Sequence, residues 1–181
     1  MDARKPQVLS QIMAATHKEH EAQGPQSARC AVITVSDTRT LENDTGGQTV
    51  IDHLAAFDHT ISHREIIPDE PARMRPLLES LRQRDDVDVI LLTGGTGIAS
   101  RDQTYETVSS LLDTPLPGYG ELFRMLSYQE IGAAAMLSRA IGGLLGRKVL
   151  FTMPGSPAGV RLAMEKLIVP QIGHLLREAR R

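Results

Sequence analysis

Tryptophan is absent from this chain, and aromatic side chains are confined to three tyrosines and three phenylalanines. Flavin and sugar sites draw on aromatic faces for stacking, so this scarcity argues against both ligands. Cys30 is the single cysteine, which excludes an intrachain disulfide and suits a reducing compartment. No apolar run approaches the roughly 20 residues that a bilayer crossing needs. The opening "MDARKPQVLSQIMAATHKEHEAQGPQSAR" has no apolar centre of the kind a signal peptide carries. Cytoplasm is therefore the expected location, with no membrane partner. A formal net charge of −2 supplies no bulk attraction for nucleic acid, and none is expected as a partner.

What is present is ordinary in amount and unusual in arrangement. A chain of 181 residues fits one domain, and that length buries roughly 70% of its unfolded surface. Residues 1–28 read as a polar, partly flexible arm, with a short helix around Val8–Thr16 and a joint at Gly24-Pro25. His17 and His20 could share a helix face and a metal, but no third ligand is near, so a solvated surface is the expected reading.

Residues 29–181 form the expected domain. "CAVITVS" (Cys30–Ser36) is a β-rich run closed by the turn-forming "SDTRT". "TVIDHLAAF" places Val50, Leu54 and Phe57 on one helical stripe. "TISHREII" (Thr60–Ile67) reads as a strand near a sheet edge. Met74, Leu77, Leu78 and Leu81 mark the next helix, with Pro71 in its first turn and Pro76 expected to kink it or delay its regular part. "VDVILLT" (Val87–Thr93) is nearly all apolar, as a strand covered on both faces would be.

Tyr105, Val108 and Leu112 suggest another helix, "TPLPGYG" a break, and Glu121–Ile131 a further helix. "RAIGGLLGRKVLFTMPG" reads as a hairpin turning at Gly146-Arg147. Two final helices are expected on either side of a break at Pro170. Alternation of this kind implies an α/β sandwich with a mostly parallel central sheet. Ligands of such folds collect beyond the carboxyl ends of the strands, where Ser36–Thr40, Pro68–Pro71, Gly94–Asp102 and Pro154–Gly159 fall.

The stretch "LLTGGTGIASRD" (Leu91–Asp102) is the most telling. Gly94, Gly95 and Gly97 free the backbone to approach a ligand, and a following helix start favours an anion such as phosphate. A tight turn that merely needs glycine is the competing reading. A P-loop is excluded because the loop has no lysine, and the dinucleotide fingerprint fails at Ser100. "SDTRT" is faintly similar to a flavin phosphate loop, against which the aromatic scarcity counts.

A carboxylate beside a phosphate would repel it unless a divalent cation lay between, which makes Asp102 a candidate Mg²⁺ ligand. Its alternative is to cap the next helix, a task that Ser100 and Gln103 could also perform as a capping box. Asp69-Glu70 of "IPDEP" offers a second acidic pair with the same two readings. In "MPGSPAG", Gly155 frees the backbone, Ser156 offers a hydroxyl and an N–H, and Pro154 and Pro157 stiffen the loop. Ser156 is not read as a hydrolase nucleophile, because the G-x-S-x-G elbow is missing.

Taken in order, "VSDTRTLENDTGG", "IPDE", "TGGTGIASRD", "PGYGELFRMLSYQEIG", "AMLSRA" and "MPGSPAGVRLAMEKLI" resemble the MoaB/MogA family of molybdenum cofactor biosynthesis proteins. The resemblance runs from about Arg29 to Leu176, and "VSDTRTLENDTGG" with the "THKEH" arm looks closer to the MoaB branch. It implies a three-layer α/β fold that binds molybdopterin and, in catalytic members, uses Mg²⁺ and ATP to adenylate its terminal phosphate with release of pyrophosphate. Carried over by motif, Gly94, Gly95, Thr96 and Gly97 would hold phosphate, with Ser36 and Asp37 opening onto the same site. Asp69 and Asp102 would serve metal and catalysis. Arg101, Glu121, Ser138, Arg139, Pro154, Gly155, Ser156 and Pro157 would line the substrate pocket. The resemblance also implies a homo-oligomer, trimer or hexamer. A pterin-binding oligomer without catalysis and a nucleotide pyrophosphatase remain the alternative activities.

Overall fold

The computed structural model of the chain describes residues 24–181; the expected helix at Val8–Thr16, with His17 and His20, lies outside the described residues. Strand β1 (Arg29–Val35) leads through helix α1 (Thr45–Ala55) to β2 (Thr60–Ile67), and helix α2 (Pro71–Gln83) leads to β3 (Val89–Thr93). Then come α3 (Thr104–Ser109), the two-residue β4 (Thr114–Pro115), α4 (Pro117–Ile131) and a 3-10 segment at Gly132–Leu137. The hairpin β5 (Gly142–Leu145) and β6 (Lys148–Met153) precedes α5 (Pro157–Ala163) and α6 (Ile172–Ala179).

The six strands form one sheet in the order β2-β1-β3-β6-β5-β4. The first four are mutually parallel, while at the far edge β5 runs antiparallel to β6 and β4 antiparallel to β5. The mostly parallel α/β sandwich is present, with β2 at the expected edge. Alternate side chains of the central strands feed two cores. Cys30, Val32, Val89, Leu91 and Phe151 pack with Val50, Leu54, Phe123 and Leu176 on one face. Ala31, Ile33, Ile90, Leu92 and Leu150 pack with Met74, Leu78, Leu81 and Val108 on the other. Period-2 alternation on a doubly covered sheet explains why these strands look continuously apolar.

Several local expectations need correction. Phe57 is 58% exposed, because α1 ends at Ala55 and the residue falls in the turn beyond. Pro76 does not delay α2, which runs from Pro71 to Gln83 with the proline inside it. Its missing N–H deprives only the carbonyl of Ala72, and both residues are exposed, so water can serve that oxygen. Helix α3 stops at Ser109 and does not include Leu112. "PGYG" starts α4 instead of breaking the chain, with Pro117 at its first position. At Pro170 the helical path continues through a π turn (Met164–Ile168) and a 3-10 turn (Val169–Gln171). No described helix is long and apolar enough to cross a membrane.

The parallel register decides where the loops go. Val35 stands opposite Ile67, Thr34 opposite Thr93, and Thr93 opposite Met153. The segments that begin at Ser36, Pro68, Gly94 and Pro154 therefore leave the sheet side by side.

Candidate functional site

The glycine loop is pinned at its base between the ends of its neighbours. Thr93 donates its hydroxyl to the carbonyl of Pro154 (2.9 Å), and the N–H of Gly94 donates to Met153 (3.0 Å). Gly94 has φ +105°, and a Cβ there would lie 2.2 Å from the Val35 carbonyl oxygen. Gly95 has φ +64°, and a Cβ there would strike Thr104 Oγ1 at 2.1 Å and Asp69 Oδ2 at 2.3 Å. Only glycine fits this path. The loop forms one wall of an open cleft of about 370 Å³, lined by Gly94–Gly97, Asp102, Leu137, Ser138, Pro154 and Gly155.

The two aspartates have different surroundings. Asp102 accepts from the Ala99 N–H through Oδ2 (2.8 Å), while its own N–H donates to the Ala99 carbonyl (2.9 Å). This reciprocal pair closes the turn before α3. The capping expectations fail here, because α3 begins at Thr104 and Gln103 occupies the cap position. Ser100 and Gln103 form no capping box; Gln103 Nε2 donates to the Ser100 carbonyl instead (2.8 Å).

The cap arrives from another loop. Asp69 Oδ1 accepts from the Gln103 N–H (3.2 Å) and the Thr104 hydroxyl (3.4 Å). Asp69 is buried, and that burial pushes its carboxyl above the usual carboxylate range, against the Gln103 hydrogen bond and reinforced by the charges of Asp102 and Asp37. Glu70 sits at the cap position of α2 without a side-chain cap bond.

Arg101 is not among the residues that line the cleft. Its Nε and one terminal nitrogen hold the two oxygens of Asp37, each at 2.7 Å, with Glu70 3.9 Å away. The Arg101 guanidinium in turn holds the Asp37 carboxyl below its ordinary pKa. Ser36 is used locally, its Oγ accepting from the N–H groups of Thr38 and Arg39 at 3.2 Å. Ser36 and Asp37 line a separate cavity of about 480 Å³ with Arg64 and Pro68, outside the glycine cleft.

Arg139 is the brace of the loop. Its Nε donates to Gly97 O (2.6 Å), one terminal nitrogen to Asp102 O (2.8 Å) and the other to Glu106. Glu121 and Arg139 line a groove of about 510 Å³ with Tyr105, Arg124 and Met136, and Ser138 belongs to both this groove and the cleft. Ser156 caps α5 by accepting from the Gly159 N–H (3.2 Å), with Pro157 at the first helical position.

The cleft thus gathers Gly94, Gly95, Thr96, Gly97, Asp102, Ser138, Pro154 and Gly155. Glu121 and Arg139 adjoin it, Asp69 lies beneath the loop, and Ser36, Asp37 and Arg101 stand to one side. Sequence reasoning missed Asp44, which is 4% exposed, caps α1 through Gly47 N (2.8 Å) and accepts from Thr34 Oγ1 (2.7 Å). An aspartate directly before Thr45-Gly46-Gly47 was the available signal. It also missed Glu106 and Leu137, for which no local signal exists.

Among the described residues no three His, Cys, Asp or Glu side chains converge on one metal position. The charge of Asp102 nevertheless adds to the upward push on the Asp69 carboxyl. Each has one oxygen, Oδ2 of Asp69 and Oδ1 of Asp102, without a hydrogen bond among the described residues. Two hard oxygen donors, completed by phosphate and water, are the set that suits Mg²⁺.

Comparison with known proteins gives a concordant result. The family described as "Probable molybdopterin binding domain" matches residues 31–174. Molybdenum cofactor biosynthesis protein B of Bacillus anthracis is 51% identical over 164 residues, spanning 90% of this chain and 97% of that protein. A crystal structure of a molybdenum cofactor biosynthesis protein B superimposes with a TM-score of 0.84 at 50% identity, covering 87% of this chain and 99% of the other. The tungsten cofactor synthesizing protein MoaB from Pyrococcus furiosus gives a TM-score of 0.77 at 35% identity, covering 87% and 99%.

Proposed function

Because this chain belongs to the MoaB branch of the molybdopterin-binding domain family of molybdenum cofactor biosynthesis, we propose that it binds molybdopterin and transfers an adenylyl group from ATP to the pterin's terminal phosphate. An oxygen of that phosphate forms the new bond to the α-phosphorus of ATP. The bond from that phosphorus to the oxygen bridging the β-phosphorus breaks, and pyrophosphate leaves. Two anions must be brought together, so position and positive potential matter more than a side-chain nucleophile.

The observation that carries this reading is the glycine cleft. Gly94, Gly95, Gly97 and Gly155 line it without side chains, and the carbonyls of Thr96, Gly97 and Asp102 are engaged by Arg139. With the Gly94 N–H donating to Met153 and the start of α3 capped by Asp69, the N–H groups of Gly95, Thr96 and Gly97 are then what the loop can offer an anion. Asp69 and Asp102 would hold Mg²⁺, which when bound supplies neutralisation of phosphate charge. The groove lined by Glu121 and Arg139 continues from the cleft at Ser138 and has room for the organic part of a ligand.

Incubation with ATP, Mg²⁺ and molybdopterin, followed by nucleotide analysis, tests the proposal. Adenylated pterin with pyrophosphate is expected. Pterin binding without turnover would overturn the transfer step, and AMP with pyrophosphate in the absence of pterin would assign a pyrophosphatase.

Self-association belongs to the same reading. Leu122, Met125, Tyr128, Ile131, Met136 and Leu137 are all exposed along α4 and the following turn, an apolar band that supports self-association, and the family resemblance implies a trimer or hexamer. Light scattering should return three or six times the chain mass; a monomer would contradict it.

A further inference from the structure

All three guanidinium nitrogens of Arg139 are committed to the protein. Nε serves Gly97 O, one terminal nitrogen serves Asp102 O, and the other meets the carboxylate of Glu106. The main-chain N–H of the same residue donates to Thr96 O (3.0 Å). The guanidinium carbon stands 5.3 Å from the centroid of the Tyr105 ring, so neighbouring residues of α3 supply both a counter-charge and a flat support. A single residue thereby engages three carbonyls of the glycine loop. A carbonyl turned into the cleft would repel an anion, whereas an engaged one leaves the loop's N–H groups to face it.

Glu106 has no place in the cleft itself, yet it is the only charged partner of this guanidinium among the described residues. We propose that Glu106 is a positioning residue, fixing Arg139 as a brace of the loop so that Arg139 acts on bound phosphate through the main chain and not by touching it. This rests on reading the loop as a phosphate cradle.

The two roles open to Arg139 respond to loss of Glu106 with opposite sign. If Arg139 were itself a phosphate ligand, removing its counter-charge would free a cation beside Ser138, and anions would bind more tightly. If it is a brace, removal loosens the loop and anions bind more weakly. Lysine separates the roles again: it keeps the charge but cannot form the planar fork that spans two carbonyls and a carboxylate.

The probe is inorganic pyrophosphate with Mg²⁺, titrated calorimetrically into the full chain. Glu106→Ala is expected to weaken binding about tenfold, and Arg139→Lys by a similar factor, as loss of a charge-assisted contact implies. Glu106→Gln, which keeps an acceptor at that point, should stay within about twofold of the parent protein. In ligand-free protein, amide exchange at residues 97–102 should quicken in Glu106→Ala and not in Glu106→Gln, with the melting temperature held. Tighter pyrophosphate binding by Glu106→Ala, or unchanged loop exchange in that variant, would overturn the proposal. Should the parent protein fail to bind pyrophosphate, the cradle reading falls, and the exchange comparison alone decides whether Glu106 braces the loop.

Discussion

Asp69 illustrates how one side chain can hold a fold together and still be uncomfortable in it. Its Oδ1 caps α3 from 34 residues away, while burial and the nearby charges of Asp102 and Asp37 disfavour its ionised form. A carboxyl whose folded pKa is raised costs stability at pH 7, and that cost disappears as pH falls through the folded value. Asn at this position keeps the acceptor for Gln103 and Thr104 and removes the charge. Asp69→Asn is therefore expected to melt at or above the parent temperature at pH 7 in EDTA, with the difference closing toward acid. The same variant should lose Mg²⁺-dependent turnover. A melting temperature several degrees lower at pH 7 would mean that the charge itself is needed for the fold.

Gly95 makes a second case at this scale. Its Cβ position is already taken by Thr104 Oγ1 and Asp69 Oδ2, so a substituent there displaces the cap and does not simply fill the phosphate cleft. Gly95→Val should lose nucleotide affinity together with stability, by about 2–4 kcal/mol in a urea titration, since positive φ and a steric clash act at once. Affinity lost at full stability would place the side chain in the cleft instead.

Elements were legible to the extent that their signals were local. The buried strands, the hairpin at Gly146-Arg147 and the stripe of Met74, Leu78 and Leu81 follow from period and composition, and each is present. Helix boundaries were harder, because the deciding partner is distant in sequence. Asp69 caps α3 across the sheet, and α4 starts at Pro117 with the Tyr119 hydroxyl donating to Thr152 O (2.9 Å). The glycines of the cleft could be read from the chain, but the brace from Arg139 could not, since it joins loops 42 residues apart.

Pro76 yields an expectation for a whole helix. Restoring an N–H in an exposed second turn should tighten α2, so Pro76→Ala should raise stability by about 1 kcal/mol, the lost hydrogen bond outweighing proline's entropic benefit in the unfolded chain. A drop in the urea midpoint would show that the proline ring packs in a way that the helix needs.

The molecule as a whole is tied at the end opposite the cleft. Asp88 is buried and accepts from Arg29 through N, Nε and a terminal nitrogen (2.9, 2.9 and 2.8 Å), and from Arg180 (2.7 Å). One carboxylate thus joins the start of β1, the approach to β3 and the C-terminal end of the chain. Burial alone would raise its pKa, but the hydrogen bonds and charge of Arg29, with the charge of Arg180, bring it below the ordinary value.

A depressed folded pKa gives stability that is present above the unfolded pKa and lost as pH falls through the folded one. Asp88→Asn is expected to cost about 1–3 kcal/mol at pH 7, discounted because both arginines are partly exposed. The difference should vanish in strong acid, as at Asp69, but with the opposite sign at pH 7. A pH-independent cost would assign the loss to packing.

Everything proposed about function depends on anions meeting main-chain N–H groups at the carboxyl ends of β1, β3 and β6. Amide chemical shifts followed during titration of isotopically labelled protein with AMP and with pyrophosphate, in the presence of Mg²⁺, test this directly. The expected result is a saturable movement of the Gly94, Gly95, Gly97 and Gly155 resonances, with the Asp88 end of the sheet unmoved. Shifts confined to another face, with those four glycines silent, would contradict it.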